Sequence, residues 1–199
     1  MAKKNANNNN KEPESHWGNV AAGIIPFDKD DCQVLLQHRS QSVNEPGTWG
    51  IIGGAVSKNA SLYGHGEQFE GIGVGEDKIK DAAIDEFKEE AGFCKPVKKM
   101  AKVALFENKN KTFQYHTYAV EIDEKIDPPT LHDDPYKYWE SEGYKWVELN
   151  DLVSMAKEQI SGKKDHNLHP NFANTIVKPE VQAELFKFHD TCTKKKKRT

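Results

Sequence analysis

The stretch EDKIKDAAIDEFKEEAG, residues 76–92, decides how the rest of the chain is read. It opens on acids, closes on glycine and is built of strong helix formers, the start and stop signals of an α-helix. At about 100° per residue, Ile79, Ala83 and Phe87 span roughly 80° of arc and define the face that meets a sheet. Glu86 and Glu90 fall inside that face one turn apart, and Glu89 flanks them. Two carboxylates in a buried stripe lose hydration and repel each other, which is unfavourable without a counter-charge. A divalent cation supplies one. Carboxylate oxygens suit Mg²⁺, or alternatively Mn²⁺, with the remaining positions left to water and substrate phosphate. The competing reading of the pattern is a solvated acidic helix whose core face is rotated by a fraction of a turn.

Outward from this helix, strands mix with separated helices, an α/β class without internal repeat. Upstream, Asn19 to Phe27 and Cys32 to Gln37 are β-rich runs joined by the turn chemistry of Asp28 to Asp31. A short strand through Trp49, Ile51 and Ile52 follows, and then a glycine-rich segment, residues 57–75, that opposes regular structure. Downstream, Lys98 to Glu107 and Thr112 to Ile122 read as a second hairpin. A Pro-rich acidic loop, Asp127 to Tyr138, leads to a strand at Tyr144 to Val147. Helices are expected from Asn150 to about Ile160 and around Pro179 to Asp190.

The 199 residues suit one domain with short appendages, and the aromatic content is too high for a disordered polymer. Residues 1–15, with their Asn run, read as a disordered leader, 16–190 as the folded domain and 191–199 as a basic tail. The net charge is −3, and setting aside seven cations near the two ends leaves ten excess negative charges on the remainder. Such a body offers no wide basic surface to duplex nucleic acid. Three cysteines without C-x-x-C spacing suggest neither a disulfide framework nor a zinc ribbon, and fit a reducing compartment. With no apolar leader and no run long enough to span a bilayer, a cytoplasmic location without membrane contact is expected. The KKKKR run, residues 194–198, adds a nuclear signal, an RNA-binding tail or a solubilising end as readings, the last being the default.

The segments PGTWGIIGGAV, residues 46–56, and AAIDEFKEEAGF, residues 82–93, together resemble the Nudix hydrolase family. Its box reads G-x5-E-x7-R-E-U-x-E-E-x-G-U, U being bulky and apolar, and Glu86, Phe87, Glu89, Glu90, Gly92 and Phe93 match the second half position by position. LLQHRS at 35–40, EGYKWV at 142–147 and LHPNF at 168–172 resemble flanking elements of the family in the same order, so the likeness covers about residues 17–185. Two departures stand out. With Gly54 as the structural start, 22 residues precede Asp77 where the family has five, an insertion of 17, and the usual Arg is Asp85. In the family that Arg pairs with the box's first Glu, a position held here by Asp77 with Glu76 one place off. Either a lysine such as Lys78 or Lys88 replaces that pairing, or the insertion restructures this end, or catalysis is weakened.

The resemblance implies an α/β/α sandwich with a mixed central sheet. It also implies a Mg²⁺-dependent hydrolase that cleaves the diphosphate of a nucleoside diphosphate linked to another moiety, with water attacking phosphorus. Glu86 and Glu90 are assigned as principal metal ligands, Glu89 as ligand or water-orienting base, and the carbonyl of Gly53 or Gly54 as a further metal contact. Glu140 and Glu142 are candidates for an accessory base or ligand. Arg39 is a candidate phosphate contact, and Tyr115 and His116 candidate base contacts, against the commoner fates of surface ion pairing and core packing. The expected partner is a nucleotide-type small molecule, with RNA at the tail and a homodimer as further options. The alternative is a catalytically weak or inactive nucleotide-binding or sensor module, which Asp85 and the insertion favour. His166 and His169, beside Pro170, read as loop residues.

Overall fold

The computed structural model describes residues 19–28, 30–56, 72–92, 97–123 and 140–196, with side chains up to residue 191. The leader, most of the glycine-rich segment, Phe93, the Asp127 to Tyr138 loop and residues 197–199 lie outside the described residues. The strands are β1 (Val20–Asp28), β2 (Val34–Arg39), β3 (Trp49–Gly50), β4 (Ile52–Ala55), β5 (Lys99–Glu107), β6 (Gln114–Ile122) and β7 (Ser141–Val147). The helices are α1 (Glu76–Ala91), α2 (Leu149–Ile160), α3 (Pro170–Ile176) and α4 (Pro179–Lys196).

All seven strands form one mixed sheet of order β3-β2-β1-β6-β5, with β4 on β1 and β7 on β2. β1 and β6 run parallel, in register from Val20↔Gln114 to Asp28↔Ile122, and the other strand pairs among the described residues are antiparallel. β1 meets β2 only near their shared turn, at Phe27↔Val34, while its other half pairs with β4 from Ala21↔Ala55 to Ile24↔Ile52. The sheet therefore forks: β2, β3 and β7 form one branch, and β1, β4, β6 and β5 the other. The run Trp49 to Ile52, read as a single strand, is divided between the two branches.

Alternation along each strand sends side chains to two cores. On one face Ala22, Ile24, Leu35, Tyr118 and Val120 pack on Ile79, Ala83 and Phe87 of α1. On the other, Ile25, Phe27, Leu36 and Ala119 pack on α2, α3 and α4 through residues such as Leu152, Ile176 and Leu185. This is an α/β/α sandwich, as the resemblance implied. Among the described residues no helix is long and apolar enough to cross a membrane.

Local chemistry explains the turns. The Asp28 carboxylate accepts from the amides of Asp30, at 3.1 Å, and Asp31, at 2.9 Å, closing the β1–β2 turn. Asn108 Oδ1 does the same for Thr112 and Phe113 at the β5–β6 turn. Two elements differ from expectation. LHPNF enters a short helix, α3, with Pro170 at its start, and the preceding loop is tied to β3 by Trp49 N to Asn167 O at 2.6 Å and His169 N to Trp49 O at 2.8 Å. α4 also runs past Asp190 to Lys196, because no breaker interrupts the lysines.

Gly53 sits where β4 closes on β1. A Cβ there would lie 2.3 Å from the Ala22 carbonyl oxygen and 2.4 Å from Gly23 Cα, backbone atoms that cannot swing aside. Gly53→Ala is therefore expected to destabilise the protein by ~1–3 kcal/mol or more, read as a lower denaturant midpoint.

Candidate active site

The functional face of α1 follows from its rotation. Ile79, Ala83, Phe87, Glu90 and Ala91 are buried, so the acid Glu90 shares the stripe that packs on the sheet. Glu90 is 6% exposed and accepts a hydrogen bond of 2.8 Å from Gln37 Nε2 on β2. Glu86, one turn earlier, lies over β4: a Cβ on Gly54 would come within 2.5–2.6 Å of its carboxyl atoms. Absence of a side chain at Gly54 is thus what admits the Glu86 carboxylate to the sheet.

The electrostatics describe a cluster of like charges. Burial, and then the charges of Glu89, Glu140 and Asp85, raise the Glu86 carboxyl from its ordinary 4.5 to about 7. Burial, Glu140 and Glu86 hold Glu90 well above the carboxylate range, opposed by the Gln37 hydrogen bond and by Arg39. Glu89, at the flank, is raised by burial and by Asp85. Glu140, immediately before β7, is an acid whose charge acts on both Glu86 and Glu90.

Arg39, at the end of β2, is only 8% exposed, and no carboxylate among the described residues lies within ion-pair distance of it. Its Nε donates to Asn44 O at 2.9 Å. Its charge acts on Glu90, on Tyr115 and on His169, which places the guanidinium between the end of α1 and the loop before α3. The geometry of Gly50 agrees: a Cβ there would sit 3.6 Å from His169 Cβ and 3.8 Å from Arg39 Cδ. Tyr115, near the start of β6, sets its hydroxyl against Gly23, with burial and the charge of Glu90 raising its phenol.

Two expected site residues are not brought to this cluster. His116 alternates with Tyr115 and so faces the start of α1, where its Nδ1 is 3.8 Å from Glu76 Oε2. Ten residues of helix, about 15 Å, separate Glu76 from Glu86. Glu142 pairs with His38 Nδ1 at 3.4 Å and accepts from Gln41 N at 3.2 Å, and neither Glu86 nor Glu90 feels its charge. Glu142 falls in a β-bulge, between the pairs His38↔Gly143 and Arg39↔Ser141, while Glu140 precedes the strand, and the bulge turns the two acids apart.

The missing arginine is compensated differently from expectation. Lys88 is 2.8 Å from Asp85 itself and pairs with that acid on the exposed side of α1, while the Asp85 charge still reaches Glu86 and Glu89. The first acid of the helix that faces the sheet is Glu76, whereas Asp77 is exposed. Glu76 takes its cation from β5, with Lys102 Nζ at 3.2 Å, and a hydrogen bond of 2.8 Å from the Tyr118 hydroxyl. Burial pushes the Glu76 carboxyl up, but Tyr118 and Lys102 outweigh it and leave it lowered.

Sequence reasoning missed Gln37, Ser141 and Tyr144, which surround Glu90, and His169 beside Arg39. A polar Gln37 two residues after Leu35, on the core-facing side of a strand, was the available signal.

Among the described residues no three His, Cys, Asp or Glu side chains converge into a closed metal cage. The donors nevertheless fit a hard cation that keeps water and substrate oxygens in its shell. Glu86 and Glu90 present oxygens one turn apart, and their mutual repulsion and that of Glu140 are relieved by positive charge.

The family model described as the NUDIX domain matches residues 18–168, and the chain belongs to the Nudix family. It is accordingly a pyrophosphohydrolase acting on phosphoanhydride bonds. Among solved structures, RenU, a Nudix hydrolase from M. smegmatis, superposes with a TM-score of 0.51 at 21% identity, over 79% of this chain and 81% of that one. DR0079 from Deinococcus radiodurans gives 0.52 at 14% identity, over 84% and 86%. Both likenesses concern the fold. No curated protein matches the chain.

Gly54→Ala tests the approach of Glu86. The clashing atoms end a flexible side chain, so the fold is expected to persist while the carboxylate is displaced. A loss of at least about tenfold in kcat, at a nearly unchanged melting temperature, is expected.

Proposed function

We propose that this chain is a Mg²⁺-dependent hydrolase cleaving the diphosphate of a nucleoside diphosphate linked to another moiety. The observation that carries the reading is the desolvated pair Glu86 and Glu90, sharing its charge with Glu140 beside a buried Arg39 that has no ion-pair partner among the described residues. A buried guanidinium and a cluster of mutually repelling carboxylates are each costly alone. A phosphate ester with its divalent cation relieves both.

In this reading Glu86 and Glu90 hold Mg²⁺, or Mn²⁺ in its place, and Gly54 leaves the room that Glu86 needs. When bound, the cation neutralises the diphosphate and lowers the pKa of the attacking water. Arg39 offers the planar donor set that suits a phosphate bidentately. Glu140, acted on by both ligand acids, takes the proton of the attacking water, and Glu89 orients that water from the flank. The water oxygen bonds to phosphorus as the bridging P–O bond breaks, leaving a phosphate on each fragment. Tyr115, near Arg39, offers the aromatic face for the nucleoside.

Asp85 favours an inactive sensor less once its charge is met by Lys88 and Glu76 is held by Lys102. The test is a panel of sugar nucleotides, ADP-ribose, dinucleoside polyphosphates, nucleoside triphosphates and capped RNA with Mg²⁺ or Mn²⁺, products resolved by mass. Cation-dependent release of a nucleotide from at least one class is expected. No turnover anywhere on the panel returns the sensor reading.

A further inference from the structure

Glu90 is held at both ends by side chains outside the acidic cluster. Gln37 Nε2 donates to its carboxylate Oε2 at 2.8 Å, and the Tyr144 hydroxyl donates to its backbone carbonyl at 2.5 Å. Ser141 joins the two: its Oγ accepts from Gln37 Nε2 and lies 2.9 Å from the Tyr144 oxygen. Proton counting orders this ring. Both amide protons of Gln37 are used, one on Glu90 and one on Ser141. Tyr144 has a single hydroxyl proton, and with that proton on the Glu90 carbonyl its oxygen accepts from Ser141.

The burial makes the order consequential. Gln37 is 1% exposed and Ser141 2%, and among the described residues no donor reaches the buried acceptor Gln37 Oε1. Leaving such an acceptor unpaired costs about 1–3 kcal/mol. The amide is therefore turned for the sake of its donors. Reversed, it would set an oxygen against the Glu90 carboxylate and leave Ser141 without its donor. The three residues come from β2 and β7, paired at Gln37↔Tyr144, so the sheet itself carries the ring to the last turn of α1.

We propose that Gln37, supported by Ser141 and Tyr144, is a positioning residue that presents Glu90 to the cation, and that losing it weakens metal affinity with the fold kept. This rests on the reading of Glu90 as a metal ligand, so the experiment separates the two. Mn²⁺ alone is titrated into the full chain, and free ion is followed by electron paramagnetic resonance. Wild type must bind, and Glu90→Gln must lose that binding; failure of either step overturns the metal reading of Glu90, and the inference with it. Given those results, Gln37→Leu is expected to raise the Mn²⁺ dissociation constant about 10–100-fold, the usual effect of removing a partner behind a ligand. Its circular dichroism without metal should match wild type. A folded Gln37→Leu that binds Mn²⁺ as wild type does overturns the role of Gln37 and leaves Glu90 untouched. Should Gln37→Leu not fold, Ser141→Ala decides by the same titration: weaker Mn²⁺ binding supports the ring, and unchanged binding overturns it.

Discussion

Glu90→Gln is expected to lower metal-dependent turnover at least about a hundredfold without unfolding the protein. The size follows from the place of the residue: partners behind a metal ligand already cost 10–100-fold when removed, and Glu90 is read as the ligand itself. The fold survives because the carboxyl is isosteric with the amide and the cost it removes is large. Burial, Glu140 and Glu86 all oppose its charge, so a neutral side chain there sits more comfortably when no cation is bound. The metal-free variant should melt at or above the wild-type temperature at neutral pH. Steady-state kinetics with Mg²⁺, alongside thermal melts in chelator, read both halves. A variant that keeps full activity removes Glu90 from the machinery, and one that unfolds makes its role structural.

The second large effect is on stability, and its sign comes from Glu86. In the unfolded chain this carboxyl titrates at its ordinary 4.5, and in the fold at about 7. Below about pH 4.5 both states hold the proton and no penalty exists. As pH rises from there the unfolded chain releases a proton that the folded one retains, so stability falls; above about 7 the loss is complete. A displacement of that size is worth on the order of 3 kcal/mol. Metal-free protein should therefore lose melting temperature between about pH 5 and 7.5, with a visibly flatter profile in Glu86→Gln. Mg²⁺ should recover more at the upper end of that range than at the lower, because it binds the ionised form that only the folded state assembles. Parallel profiles for wild type and variant would contradict the assignment.

Both expectations start from a feature visible in sequence: acids at helical spacing within an apolar stripe. Ile79, Ala83 and Phe87 set the face, and periodicity alone placed Glu86 and Glu90 on it. The helix ends were equally local, with acids opening and Gly92, at φ 65°, closing it. Strand and turn chemistry at Asp28 and Asn108 was legible for the same reason, because the side chain that closes each turn lies within five residues of what it bonds.

Long-range pairing was not legible. Nothing local distinguishes Lys102 from other lysines, yet register on β5 and β6 brings it to Glu76, where Lys78 or Lys88 was expected. The division of Trp49 to Ile52 between two branches depends on which strands claim β1, alternation parts His116 from Tyr115, and the bulge opposite His38 and Arg39 parts Glu142 from Glu140. Gln37, Ser141 and Tyr144 come from segments more than a hundred residues apart, and only the β2–β7 pairing makes them one ring around Glu90.

By itself, the sequence determined the amphipathic helix, its acidic stripe and the family box, since those are patterns of period 3.6 within one element. The tertiary structure decided which charges meet that stripe. Burial turns Glu86 and Glu90 from ordinary acids into a desolvated pair, and strand register, which couples residues far apart in the chain, chooses Arg39, Glu140 and Gln37 as their neighbours.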